Sequence, residues 1–120
     1  MLNCFRMEEW QLDFEWLETR HKIKEIFKVN ALPDLRVVLF LIGVQELGQG
    51  FKDFTKEEKT DLIHIAVCTL MEADGFYKFA GRDVDGWPHW EVKKPFKTKG
   101  IKEQEKLLKK YIIDYFKSDS

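Results

Sequence analysis

The sequence has few residues of the types that define several protein classes. Its 120 residues include only 2 Cys, 3 Pro and 7 Gly. Two cysteines cannot form a disulfide framework or a four-thiolate zinc site, and so little proline and glycine excludes a collagen-like or low-complexity chain. Serine occurs only at positions 118 and 120, so the chain lacks the Gly-x-Ser-x-Gly motif of α/β-hydrolases. These absences remove several classes of enzyme and scaffold.

Long apolar runs and an excess of one charge are also absent. The most apolar stretch covers about 13 residues, 35–47, whereas a membrane-spanning helix needs about 20. The chain does not open with a basic segment and an apolar run, so no secretory signal is predicted and we expect a cytoplasmic location. A formal net charge of -1 removes the simplest case for nucleic-acid or anionic-membrane binding.

The residues that are present predict a single mainly α domain over 1–120. Hydrophobic residues make up 44% of the chain and aromatic residues 14%, which is enough to form a core. Hydrophobic periodicity predicts a four-helix bundle-like arrangement, with helices at about 8–28, 35–47, 55–73 and 101–116 and a short β-hairpin or aromatic loop at about 76–92. The 35–47 run could also be a buried strand, but its length favours a helix.

Local signals set several helix boundaries. Asp34 is a suitable N-cap for the second helix, and Gly48 is a suitable residue just after its end. Thr55-Lys-Glu-Glu58 has the capping-box pattern that begins a helix. Gly43 is unfavourable in the middle of a helix by about 1 kcal/mol, and close packing of a neighbouring helix would explain its presence.

The first helix has an ambiguous pattern. Alternating apolar residues over 10–16 have the period of a strand, whereas the spacing from Leu17 onward is helical. If the whole segment is a helix, it has two apolar faces. The first face contains Trp10, Phe14, Leu17 and His21, and the second contains Leu12, Trp16, Ile23 and Phe27. Such a helix is covered by neighbours on both sides or joins a second chain. We therefore expect the spare face to bind a partner, and a homodimer is one such outcome.

Two motifs have the Glu-x-x-His spacing with which helical di-iron proteins bind metal, namely Glu18–His21 and Asp61–His64. The complete site also needs two inward glutamates from other helices. The acidic residues of the last helix lie off its apolar stripe: Glu103, Glu105 and Asp114. We therefore predict no metal and no cofactor.

The acidic segment Asp83-Val-Asp85-Gly86 does not fit a calcium-binding loop. If Asp83 is aligned with an EF-hand ligand, the oxygen ligand two residues before it falls on Gly81, which has no side-chain oxygen. The position that needs a bidentate glutamate falls on Val92. A turn in which Asp side chains accept backbone hydrogen bonds is favoured instead. Cys68 lies within an apolar helix, where a thiol is usually inert. We predict no catalytic residue.

Charge is unevenly distributed along the chain. Residues 92–120 carry 9 Lys and 4 acidic residues, a net charge of +5, whereas residues 1–91 have a net charge of -6. Four lysines follow the last tryptophans closely and could bind phosphates beside stacked bases: Lys93, Lys94, Lys97 and Lys99. The lysine-rich region 93–110 therefore makes a nucleic-acid-associated accessory protein the alternative function. The absence of Arg from this region weakens the nucleic-acid alternative, because phosphate and base recognition favour Arg.

The aromatic segment 76–92 carries the residue types of binding hot spots. The predicted partner-binding residues are Tyr77, Arg82, Trp87, His89 and Trp90. The competing interpretation is that these rings only cover the core. We expect a non-catalytic interaction or adaptor protein that recognises a protein partner through this segment and the apolar face of the first helix. A nucleic-acid-binding protein is the second hypothesis, and a metal-dependent helical enzyme is the third.

Overall fold

The structure is a computed structural model that describes residues 9–95 and 100–118. Its elements are α1 (Glu9–Phe27), α2 (Leu35–Leu47), α3 (Lys56–Met71), β1 (Tyr77–Arg82), β2 (Pro88–Val92) and α4 (Ile101–Ser118). The described chain is 62% helix, and β1 and β2 form an antiparallel pair. The mainly helical class and the hairpin are therefore confirmed. No helix in the described ranges combines the length and apolar character that crossing a membrane requires.

The ambiguous pattern of α1 has a simple explanation in the helix. Leu12 and Trp16 are four residues apart and buried, whereas Trp10 and Phe14 are also four residues apart and exposed. Side chains four apart lie on one face of a helix, so two interleaved faces produce the apparent alternation. Only one of the two apolar faces is therefore buried by the described chain.

Three predicted helix boundaries are confirmed, namely the N-cap of α2 at Asp34, the end of α2 at Gly48 and the N-cap of α3 at Thr55. The Val37 N–H donates to Asp34 Oδ1 over 2.9 Å, and Gly48 ends α2 with a left-handed φ of 78°. At α3, the Glu58 N–H donates to Thr55 Oγ1 over 3.1 Å and the Thr55 N–H donates to Glu58 Oε1 over 2.9 Å. These contacts satisfy backbone groups that have no partner inside the helix.

Two groups of buried side chains form the core. The larger one joins all four helices and includes Trp16, Ile23, Ile42, Ile112 and Phe116. The smaller one lies beneath the hairpin and contains Val44, Leu47, Phe54, Leu62 and Ile65. The most extensive helix contacts join α2 with α3 and α1 with α4, and α1 touches α2 over a shorter stretch. A four-helix bundle is not confirmed by this pairing.

Gly43 lies where α2 and α3 come into backbone contact. A Cβ atom at position 43 would be 2.1 Å from the Leu62 carbonyl oxygen and 2.6 Å from its carbon. Only glycine permits this approach, which explains a residue that is otherwise unfavourable within a helix.

The hairpin contains a β-bulge near its middle. Its register pairs Tyr77 with Val92, Phe79 with Trp90 and Gly81 with His89, and it shifts between Phe79 and Gly81. Gly81 has a φ of 104°, a conformation that glycine adopts readily. A bulge bends the strand and increases its twist, and the bent strand leads to Arg82.

Candidate functional site

Arg82 attaches the hairpin to the end of α2. Its Nη1 donates to the carbonyls of Leu47 and Gly86 over 3.1 and 2.7 Å, and its Nη2 donates to the carbonyl of Glu46 over 2.8 Å. The last carbonyls of a helix lack partners within it and carry partial negative charge, so a guanidinium there is favourable. The side chain predicted to bind a partner is thus engaged by the protein's own backbone.

Asp83 organises the turn between the two strands. Its Oδ1 accepts hydrogen bonds from the Asp85 and Trp87 N–H groups over 2.9 and 3.0 Å, and its Oδ2 lies 3.0 Å from His89 Nε2. The contact with His89, followed by the Trp87 N–H, lowers the pKa of the Asp83 carboxyl below its ordinary value. These bonds confirm the expected turn in which Asp side chains bond the local backbone.

A cavity of about 310 Å³ lies between part of the hairpin and α3. We call it the hairpin cavity, and the residues that give it its chemistry are Asp61, His64, Asp83, Trp87, His89 and Trp90. Three of these, Trp87, His89 and Trp90, belong to the set predicted to bind a partner. The sequence predicts Asp61 and His64 only as a metal-type motif, and it does not predict that α3 forms one side of this site.

The two tryptophans also contribute to packing. Trp87 is half-buried, with its ring edge-on to buried Phe54 at a centroid distance of 6.5 Å. Trp90 is half-buried and packs edge-on to Phe79 at 5.4 Å. Its Nε1 is buried and has no hydrogen-bond partner in the part of the chain that the structure describes. Tyr77 contacts His64 edge-on at 6.1 Å. Trp87 therefore covers the smaller core group, and both tryptophans line the hairpin cavity.

A second candidate surface lies on α1. Trp10, Phe14 and Leu17 are 70%, 58% and 43% exposed, and we call these three residues the α1 stripe. They lie on the side of α1 opposite its buried residues. Two acidic residues that flank the stripe, Asp13 and Glu18, are exposed as well.

The lysine-rich region is partly engaged in contacts within the chain. Lys93 Nζ lies 3.0 Å from a Glu91 carboxylate oxygen, and Lys94 Nζ lies 4.6 Å from the centre of the Phe76 ring. Lys97 and Lys99 lie outside the described residues. Lys93 therefore lies near an acid and Lys94 near an aromatic ring.

Metal and nucleophile chemistry has little support from the geometry. Within 9–95 and 100–118, no group of three or more His, Cys, Asp or Glu side chains is arranged to hold a metal ion. The Cys68 thiol is buried, and burial raises its pKa to about 11. It lies 3.5 Å from His64 Nε2, but a thiol with so high a pKa forms little thiolate at neutral pH.

Comparisons with protein families, with curated proteins and with solved structures find no match for this chain, so the candidate surfaces rest on their own chemistry.

Proposed function

We propose that the protein is a non-catalytic interaction module that binds a partner protein through the α1 stripe. The observation that carries this proposal is the exposure of Trp10, Phe14 and Leu17 on the side of α1 that the core leaves uncovered. Contiguous exposed apolar patches typically mark interaction sites. Tryptophan is also among the residues that contribute most to binding energy at interfaces.

The stripe favours a helical partner with basic residues beside its apolar face. Positions 10, 14 and 17 have the spacing with which one helix packs along another. The acidic side chains of Asp13 and Glu18 flank this row and are exposed. Charges of opposite sign around an interface accelerate association and disfavour wrong partners. Glu15, by contrast, is already paired with Lys117 at 3.1 Å.

The hairpin is the second part of the proposed interaction surface. His89 is exposed and Trp87 and Trp90 are half-buried, so these residues could both pack and bind. Arg82 contributes indirectly, because its bonds to α2 hold the hairpin in place. The adaptor role therefore has its main support at α1 and secondary support at the hairpin.

The nucleic-acid alternative receives less support. Lys93 and Lys94 contact Glu91 and Phe76, and Lys106 forms an ion pair with Glu9. A phosphate backbone would have to compete with these contacts, which reduces the gain from binding.

The proposal is tested by removing the stripe and comparing the proteins recovered with each variant. The variant carries Trp10→Ala, Phe14→Ala and Leu17→Ala, and the matched control replaces three exposed apolar residues outside both the stripe and the hairpin, Val37→Ala, Phe51→Ala and Ile101→Ala. Tagged proteins are expressed at native level, cross-linked in cells and analysed by quantitative mass spectrometry. We expect a partner that the wild type and the control recover equally and that the stripe variant loses.

Two results would contradict the proposal. The first is a partner recovered equally by all three proteins, which would place the interface elsewhere. The second is a stripe variant that is unfolded by circular dichroism, which would mean that these residues belong to the fold. Light scattering on the same proteins identifies a homodimer, because a dimer that becomes monomeric only in the stripe variant makes the partner a second copy.

A further inference from the structure

The hairpin cavity combines aromatic and acidic walls. Trp87 and Trp90 come from the hairpin, whereas Asp61 and His64 come from α3. Indole rings attract cations through their electron-rich faces, and tryptophan does so more strongly than other aromatic residues. A cavity with these walls therefore favours a group that is both positively charged and partly apolar.

The charges around the cavity also favour a positively charged ligand. Its carboxylates belong to Asp61 and Asp83, and no Lys or Arg is among the described residues that line it. Asp83 is engaged by His89 and by two backbone N–H groups. Asp61 is exposed, and its carboxylate makes no hydrogen bond or ion pair with any residue of the described chain. Asp61 is thus the carboxylate available to a ligand, and an anionic ligand would be repelled.

The size of the cavity limits the ligand. Its volume of about 310 Å³ is at the lower end of the range of about 300–1,000 Å³ for ligand pockets. This space suits one long side chain, whose alkyl part would contact the indoles while its charged end reaches Asp61. Arginine and lysine have this combination of an apolar stem and a cationic end.

We infer that the hairpin cavity binds the guanidinium or ammonium group of a basic side chain presented by a peptide segment. The side chain lies against Trp87 and Trp90, and its charge pairs with Asp61. This site is separate from the α1 stripe, so the inference stands whether or not the stripe binds a partner.

The test uses small probes that differ in charge. Nα-acetyl-arginine amide, Nα-acetyl-lysine amide and the neutral arginine isostere Nα-acetyl-citrulline amide are titrated into the full chain at neutral pH. The indole N–H signals of Trp87 and Trp90 are followed by two-dimensional NMR, after assignment with single Trp→Phe variants. We expect saturable shifts with at least one of the cationic probes, and no saturable shift with the citrulline probe. Comparison of the two cations shows whether guanidinium or ammonium is preferred.

Asp61→Asn is the decisive variant, because it removes the available charge and keeps the shape of the side chain. We expect it to weaken binding of the cationic probe about fivefold, the factor for an exposed ion pair of about 1 kcal/mol. Asp53→Asn is the matched control, since it removes an exposed carboxylate that does not line the cavity. It should bind as the wild type does.

Three results would overturn the inference. These are the absence of a saturable shift with both cations up to their solubility limits, equal binding of the citrulline probe, and equal weakening by Asp61→Asn and Asp53→Asn. The α1 stripe variant should bind the cationic probe with unchanged affinity. Failure of this inference is therefore distinguishable from failure of the proposed partner interaction at α1.

Discussion

Replacing Gly43 with alanine should destabilise the protein, although the same change usually stabilises a helix. The Cβ atom would lie 2.1 Å from the Leu62 carbonyl oxygen, whereas ordinary contacts begin at 3.4 Å. The two backbones must therefore separate by more than 1 Å along the interface of α2 and α3. Overpacking typically costs about 1–3 kcal/mol and sometimes more, and here the obstacle is backbone that cannot rotate away. We therefore expect a cost of about 3 kcal/mol or more.

The gain in helix propensity offsets only part of this cost. Alanine is favoured over glycine in a helix by about 1 kcal/mol, so Gly43→Ala should lower the free energy of unfolding by at least about 2 kcal/mol in total. Urea unfolding followed by circular dichroism measures this difference. Lys59 is exposed on α3 and provides the control, because Lys59→Ala should be more stable than Lys59→Gly by about 1 kcal/mol. A Gly43→Ala variant as stable as the wild type would refute the close approach of the two helices.

Three further predictions concern individual side chains. In a Cys4→Ser background, Cys68 should react with a thiol reagent at pH 8 much more slowly in the native protein than in urea, because its pKa is raised to about 11 by burial; equal rates would contradict its burial. The carboxyl of Asp83 should titrate below 3.8 in an NMR pH titration, since its pKa is lowered. Its stabilising effect is present above the unfolded-state pKa and is lost as the pH falls through the folded-state pKa, and a midpoint at or above 3.8 would count against the hydrogen-bonded turn. Arg82→Met should lower the free energy of unfolding by about 1–2 kcal/mol by leaving helix carbonyls without a donor, whereas the exposed control Lys78→Met should change it by less than about 0.5 kcal/mol.

The helices were predictable because their signals are local. The capping box at Thr55 and the cap at Asp34 act within four residues, and both form as expected. The end of α3 was predicted less well, since the expected helix continued to 73 and the observed one ends at Met71. Hydrophobic spacing identified both apolar faces of α1. Which face would be buried depends on contacts with other helices, which spacing alone does not specify.

The candidate site was only partly predictable, because it depends on distant contacts. Trp87, His89 and Trp90 were expected to act together, and the structure places them around one cavity. The opposite wall comes from α3. The hairpin is also held to α2, because Arg82 donates to the carbonyls of Leu47 and Glu46, which lie 35 and 36 positions earlier in the chain than Arg82. Composition suggested a binding role for this arginine and did not predict that backbone carbonyls would engage it. The sequence singled out Asp61 and His64 only as a metal-type motif, and their place in the wall that faces the hairpin was missed.

The attachment of Arg82 to α2 also affects how the molecule opens transiently. A two-stranded hairpin is at best marginally stable in water by itself. Here one guanidinium bonds carbonyls at Glu46, Leu47 and Gly86, so it joins the end of a helix to the hairpin. Local opening occurs in cooperative units whose amides exchange with solvent together. The hairpin and the last turn of α2 should therefore form one such unit, with similar hydrogen-exchange protection despite their separation along the chain.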